Sequence, residues 1–146
     1  MKTEPVVKEV ILNVPVSKVW KAITNKQDMS HWCFDLLTEF KPEVGFEFQF
    51  KGKGEKGQLY LHLCKVTEVI PHKKLSYSWR YKDYPGESLV TFELFEEGEK
   101  TRLRLTHKGI ESFGKENPDL AKENFVKGWN EILDKNLKEY LEAGNN

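Results

Sequence analysis

The stretch KLSYSWRY, residues 74–81, places Leu75, Tyr77, Trp79 and Tyr81 on every second residue, with Ser76, Ser78 and Arg80 between them. Side chains of a β-strand point alternately to two faces, so the four bulky groups share one face and the small or charged ones the other. Two of the rings on that face carry a hydroxyl and one an indole N–H, groups that need hydrogen-bond partners when buried. The pattern predicts a strand with one buried face. That face is either aromatic core or the wall of a hollow.

Strands of the same kind lie on both sides. Downstream, KDYPGE (82–87) turns into SLVTFELFE (88–96), and EGEK (97–100) connects tightly to TRLRLTHKG (101–109). There Leu103, Leu105 and His107 share one face against Arg102, Arg104 and Thr106. Upstream, GFEFQFKG (45–52) alternates Phe46, Phe48 and Phe50 with Glu47, Gln49 and Lys51, a half-buried pattern. KGEKG (53–57) and PHKK (71–74) read as turns. Between them QLYLHLCKVTEVI (58–70) is apolar on both faces and long enough to bend, so its inward face stays open.

Helices flank the run of strands. VVKEVILN (6–13) is a first strand, followed by VPVSKVWKAITN (14–25), with Pro15 at a helix start and Val16, Val19, Trp20 and Ile23 on one apolar face. A second short helix covers roughly 26–32. After the loop IESFGKEN (110–117), Asn117 can cap a helix, Pro118 fits its first position and Asp119 complements its dipole. Phe125, Trp129, Ile132, Leu133, Leu137, Tyr140 and Leu141 then recur at three- and four-residue steps. They predict one amphipathic helix of roughly 24 residues, about 36 Å long, with Gly144 as its cap.

Composition narrows the function. The 146 residues hold 23 Lys plus Arg and 23 Asp plus Glu, scattered rather than clustered, so neither a nucleic-acid stripe nor a polybasic membrane patch is present. No apolar run approaches the ~20 residues of a spanning helix, and the start MKTEPVVKEV carries no signal segment. A cytoplasmic protein with no membrane insertion is expected. Cys33 and Cys64 are expected reduced and structural.

The order β, two short helices, five or six antiparallel strands and one long helix predicts an α+β, helix-grip fold over 1–146 as a single domain. A curved antiparallel sheet around the long helix is the simplest way to bury both apolar stripes. Helix and sheet touch along a ridge, and the flanks can leave a cavity.

The chain resembles the START-like (SRPBCC) helix-grip superfamily, and within it the bacterial single-domain relatives of the activator of the 90-kDa heat-shock protein's ATPase. The resemblance rests on VPVSKVWKAIT, HWCF, FKPEVGFEFQF, VTEVIPHKKLSYSWRY, SLVTFELFEEGEKTRLRLTHKGI and GWNEILDKNLKEYLE, nearly the whole chain. It implies a cavity between helix and sheet, used in the wider superfamily by lipid carriers, plant ligand-binding proteins, polyketide cyclases and oxygenase domains. In the eukaryotic activator a separate amino-terminal domain makes much of the chaperone contact, and nothing in these residues matches it. Binding of a small hydrophobic or amphipathic ligand is therefore the first expectation. A protein-interaction role as a chaperone cofactor or stress-related partner is the second.

Chemistry leaves few other candidates. His31, His62, His72 and His107 show no metal-ligand spacing, so no metal or other cofactor is expected. No GxSxG occurs, and Gly52, Gly54 and Gly57 lack the GK[ST] ending of a phosphate loop. An enzyme of cyclase or hydrolase type is third, because no acid/base pair can be named. His107 is either a satisfied core histidine or a polar anchor for a ligand head. Gly128, inside the long helix, either permits close approach of the sheet or leaves room at a cavity mouth. The expected cavity residues are Phe48, Tyr77, Trp79, Tyr81, Phe92 and His107 from the sheet, with Trp32, Phe125 and Trp129 from the helices.

Overall fold

The computed structural model describes residues 4–32, 35–54, 56–114 and 116–143. Cys33, Phe34, Glu55 and Gly144, which figured in the sequence readings, lie outside them. Six strands form one antiparallel sheet: β1 Val6–Leu12, β2 Glu47–Lys53, β3 Leu59–Ile70, β4 Lys74–Tyr81, β5 Ser88–Glu97 and β6 Lys100–Lys108. Their spatial order is β1-β6-β5-β4-β3-β2, so β1 and β2 are the edges. Helices α1 (Val16–Thr24) and α2 (Lys26–Trp32) link β1 to the rest. A long C-terminal helix runs from Lys122 to Glu142. This is the helix-grip architecture.

The alternation of 74–81 carries into the structure. Leu75, Tyr77, Trp79 and Tyr81 are buried, while Arg80 is exposed. Ser76, on the opposite face, is buried as well, and its hydroxyl donates to Thr91 Oγ1 at 2.9 Å across the β4–β5 ladder. On β3 the register shifts by one residue between Val66 and Glu68. A bulge bends the strand there and ends the alternation that buries Tyr60, His62, Cys64 and Val66. Those four residues define the inward face that the sequence left open. Cys64 is a free, buried thiol, and burial pushes its pKa up.

The C-terminal helix begins later than its sequence signals indicate. The Asn117 side chain accepts from the Asp119 N–H, but the turn it caps is a short 3-10 turn, Pro118–Leu120. The same side chain donates through Nδ2 to the Tyr60 hydroxyl at 2.8 Å, which holds this turn against β3. Ala121 is extended, and the helix proper starts at Lys122.

Within that helix Phe125, Trp129, Leu133, Leu137 and Leu141 are all buried, a strict four-residue ladder. In a regular α-helix each step of four overshoots a full turn by about 40°, so the ladder would wind off the sheet. Residues Glu131–Leu137 adopt π-helical turns between α3 (Lys122–Asn130) and α4 (Lys138–Glu142). Their i→i+5 bonds put more residues in each turn, so four residues no longer overshoot and the ladder stays on one face.

The helix is fastened to one side. Lys8 pairs with Asp134 at 2.6 Å, Lys138 Nζ donates to the Ile11 carbonyl at 2.7 Å, and the Asn13 N–H donates to Glu142 at 2.7 Å. All three contacts tie it to β1 or to the residue just after it. The opposite edge is held less completely: Leu36 bridges Phe50, and the Leu37 N–H donates to the Gln49 carbonyl at 2.9 Å. Beyond Phe50 no further strand among the described residues pairs with β2.

Candidate functional site

Because the helix leans toward β1, it parts from the sheet on the β2 side and leaves a cavity of about 450 Å³. That volume lies within the range of small-molecule sites. Phe50 of β2, Tyr60 and His62 of β3, and Trp79 and Tyr81 of β4 form its sheet wall. Phe125, Gly128, Trp129 and Ile132 form the helix wall, and Asp119 and Leu120 close one end.

The polar edges of these aromatics are used in an ordered way. Trp129 Nε1 donates to His107 Nδ1 at 3.0 Å, so that nitrogen is an acceptor and the ring proton resides on Nε2. Nε2 lies 2.7 Å from Ser88 Oγ, and the Ser88 hydroxyl in turn donates to the Trp79 carbonyl at 3.0 Å. His107 is thus a fully engaged core histidine joining helix, β6, β5 and β4. Burial, reinforced by nearby His62, pushes its pKa down to about 3. The Trp79 indole donates to the Tyr81 hydroxyl at 2.9 Å. His62 stacks on Phe50 at 4.3 Å and meets Trp79 edge-on at 5.0 Å. Burial lowers its pKa to about 4, although its Nδ1 approaches the Tyr60 carbonyl at 3.2 Å. At the closed end the Tyr60 hydroxyl donates to Asp119 Oδ2 at 2.7 Å.

Of the nine residues expected to line a cavity, Trp79, Tyr81, Phe125 and Trp129 border this one. Trp32, Phe48, Tyr77, Phe92 and His107 do not; they are core. The Trp32 indole donates to the Ala22 carbonyl at 2.9 Å, and Phe48 packs edge-on against Tyr77 at 5.0 Å. Phe92 meets Trp129 edge-on at 6.0 Å and is not among the residues bordering the cavity. Alternation assigns a residue to a face, but its distance from the helix depends on where the helix lies across the sheet.

Sequence reasoning missed the glycines on the wall. Gly52 continues the inward series after Phe48 and Phe50, and a Cβ there would stand 2.8 Å from the His62 ring. A Cβ on Gly54 would collide with the Asp119 carboxylate at 2.1 Å. Gly128 differs: a Cβ there meets nothing within 4 Å and points into open space. This answers the question the sequence posed, since the helix glycine permits no close contact and instead leaves volume free. Among the described residues no group of three His, Cys, Asp or Glu side chains could hold a metal ion, and no helix is long and apolar enough to cross a membrane.

An open antiparallel sheet gripping one long helix, with a cavity along their unfastened side, defines the START-like (SRPBCC) class of domain. Within that class the chain belongs to the family described as "Activator of Hsp90 ATPase homolog 1-like protein", matched over residues 13–142. Among solved structures it is similar to protein MLL2253 of Mesorhizobium loti, with 28% identity over 98% of this chain and 100% of that one, at a TM-score of 0.77. Protein BH1534 of Bacillus halodurans is 26% identical over 97% and 99% of the two chains, also at 0.77. Mll3558 of Rhizobium loti, 20% identical over 94% and 96%, shares the fold at 0.80. No curated protein matches the sequence.

Proposed function

We propose that this domain binds a small hydrophobic or amphipathic molecule, without covalent chemistry, in the cavity between the C-terminal helix and strands β2–β4, and does so in the cytoplasm. The observation that carries the reading is the volume of about 450 Å³ walled by aromatic side chains, kept open at Gly128. Both ring nitrogens of His107 are engaged within the protein, which favours binding over acid/base chemistry. Apolar surface leaving water contributes about 25 cal/mol per Å² before the entropic costs of association. A moderately sized aromatic compound or fatty acid is therefore expected to bind at micromolar levels, roughly −8 kcal/mol.

The test uses Gly128. Gly128→Ala is expected to stabilise the protein by about 0.5–1 kcal/mol, because the helix loses its most flexible residue and the methyl meets no neighbour. Gly128→Leu places a side chain in the cavity. In a thermal-shift screen of fatty acids and aromatic compounds, ligands should raise the midpoint of the wild type with concentration and leave Gly128→Leu unmoved. A screen without shifts in the wild type, or equal shifts in Gly128→Leu, would refute this site.

The family description favours a second reading, contact with a chaperone. Several-fold, saturable stimulation of a 90-kDa heat-shock protein's ATPase by this chain, undiminished in Gly128→Leu, would place that reading first.

A further inference from the structure

Tyr81 is 4% exposed and borders the cavity. Its oxygen accepts the Trp79 indole N–H at 2.9 Å, whereas its own proton has no acceptor among the described residues. The rings of Tyr60, His62 and Phe113 surround the phenol at 5.6, 4.7 and 5.2 Å. Burial raises its pKa, so the hydroxyl keeps its proton at neutral pH. A buried O–H without an acceptor is destabilising, and a bond accepted at its oxygen polarises it into a stronger donor. The phenol is a prepared donor waiting for an acceptor.

We propose that Tyr81 donates this proton to an uncharged acceptor on the ligand, the carbonyl oxygen of a ketone, ester or amide carried on an apolar body. The inference rests on the cavity being the ligand site and names the ligand's chemistry within it. An uncharged acceptor follows from the surroundings. Lys51, Lys53 and Lys127 border the cavity, but all three are exposed, and Lys51 and Lys53 alternate with the inward Phe50 and Gly52 of β2, so these cations stay in water rather than beside the buried phenol. His62, the titratable ring beside Tyr81, is neutral at pH 7. A carboxylate drawn down to the buried Tyr81 would leave water while the bordering lysines remain solvated, which costs more than one hydrogen bond returns.

Three naphthalenes of matched size test this on the wild type at pH 7.5 by tryptophan quenching. 2-Acetylnaphthalene is expected to bind about five- to tenfold tighter than 2-isopropylnaphthalene, although it is the more polar molecule. 2-Naphthoate is expected to bind more weakly than either. In Tyr81→Phe the two neutral probes should bind equally. Infrared spectra add a readout that needs no variant: the carbonyl stretch of bound 2-acetylnaphthalene should fall below its position in hexane. Equal affinities of the neutral probes for the wild type, a stretch at its hexane position, or tightest binding of naphthoate would each overturn the proposal while leaving the cavity reading in place. If none of the three binds, the cavity reading fails and this inference fails with it.

Discussion

Between pH 7 and pH 5 the folded state is expected to lose about 4 kcal/mol of stability through two histidines. His62 and His107 titrate in the folded protein at about 4 and about 3, below the ordinary 6.5, because burial disfavours their charged forms. The unfolded chain, with ordinary histidines, binds more protons throughout the interval from pH 6.5 down to those values. Stability is therefore at its full value above pH 6.5 and falls as the pH drops through 5 toward 4. Each histidine contributes a slope of up to about 1.4 kcal/mol per pH unit, or about 2 kcal/mol over this range. For a domain of ordinary stability, about 5–15 kcal/mol, this is a large share. Denaturant unfolding at the two pH values and constant ionic strength measures it. His62→Gln should reduce the loss to about half. A difference below about 1 kcal/mol in the wild type would mean that the rings are not held neutral in the fold.

Trp79→Ala is expected to destabilise the protein by about 3–5 kcal/mol, the usual cost of deleting a buried aromatic. At this chain length the thermal midpoint should fall by about 10 °C. Trp79 is 5% exposed, and its ring lies 5.4 Å from Phe50, 5.3 Å from His107 and 5.8 Å from Trp129. It therefore joins the edge strand, the centre of the sheet and the helix. Truncation also leaves the Tyr81 hydroxyl without the indole N–H it now accepts. The ring is at once core and cavity wall, so affinity for aromatic probes should weaken in the same variant. A loss under about 1 kcal/mol would show that the ring bears on the cavity alone.

Much of this was legible in the sequence, and the parts that were not have physical reasons. Period-two alternation at 74–81 and 101–107 assigned inward faces correctly, because a sheet with one dry face pins its register. The apolar ladder from Phe125 to Leu141 announced the long helix. Its true start was hidden because Asn117 serves two partners, the Asp119 N–H and the Tyr60 hydroxyl 57 residues away in sequence. The inward face of β3 was undecidable because the bulge beyond Val66 breaks the alternation that would have revealed it. Four of the nine expected cavity residues border the hollow, since only tertiary placement of the helix determines which aromatics stand back from it. Gly52 stands at the end of the alternating stretch 45–52, and that pattern gave no sign that its missing side chain makes room for the His62 ring.

The end of β2, whose outer edge has no partner strand among the described residues, bears on how two copies of this chain meet. Residues Lys51–Lys53 lie on an open edge beside an apolar hollow, the arrangement that most readily templates another strand. Two copies docking there antiparallel and centred on Gly52 would bring Lys51 of each against Lys53 of the other. Like charges directly opposite one another repel across a ladder. The alternation of lysine and glycine in FKGKG thus leaves the hollow accessible to small molecules while opposing edge-to-edge aggregation of the protein with itself.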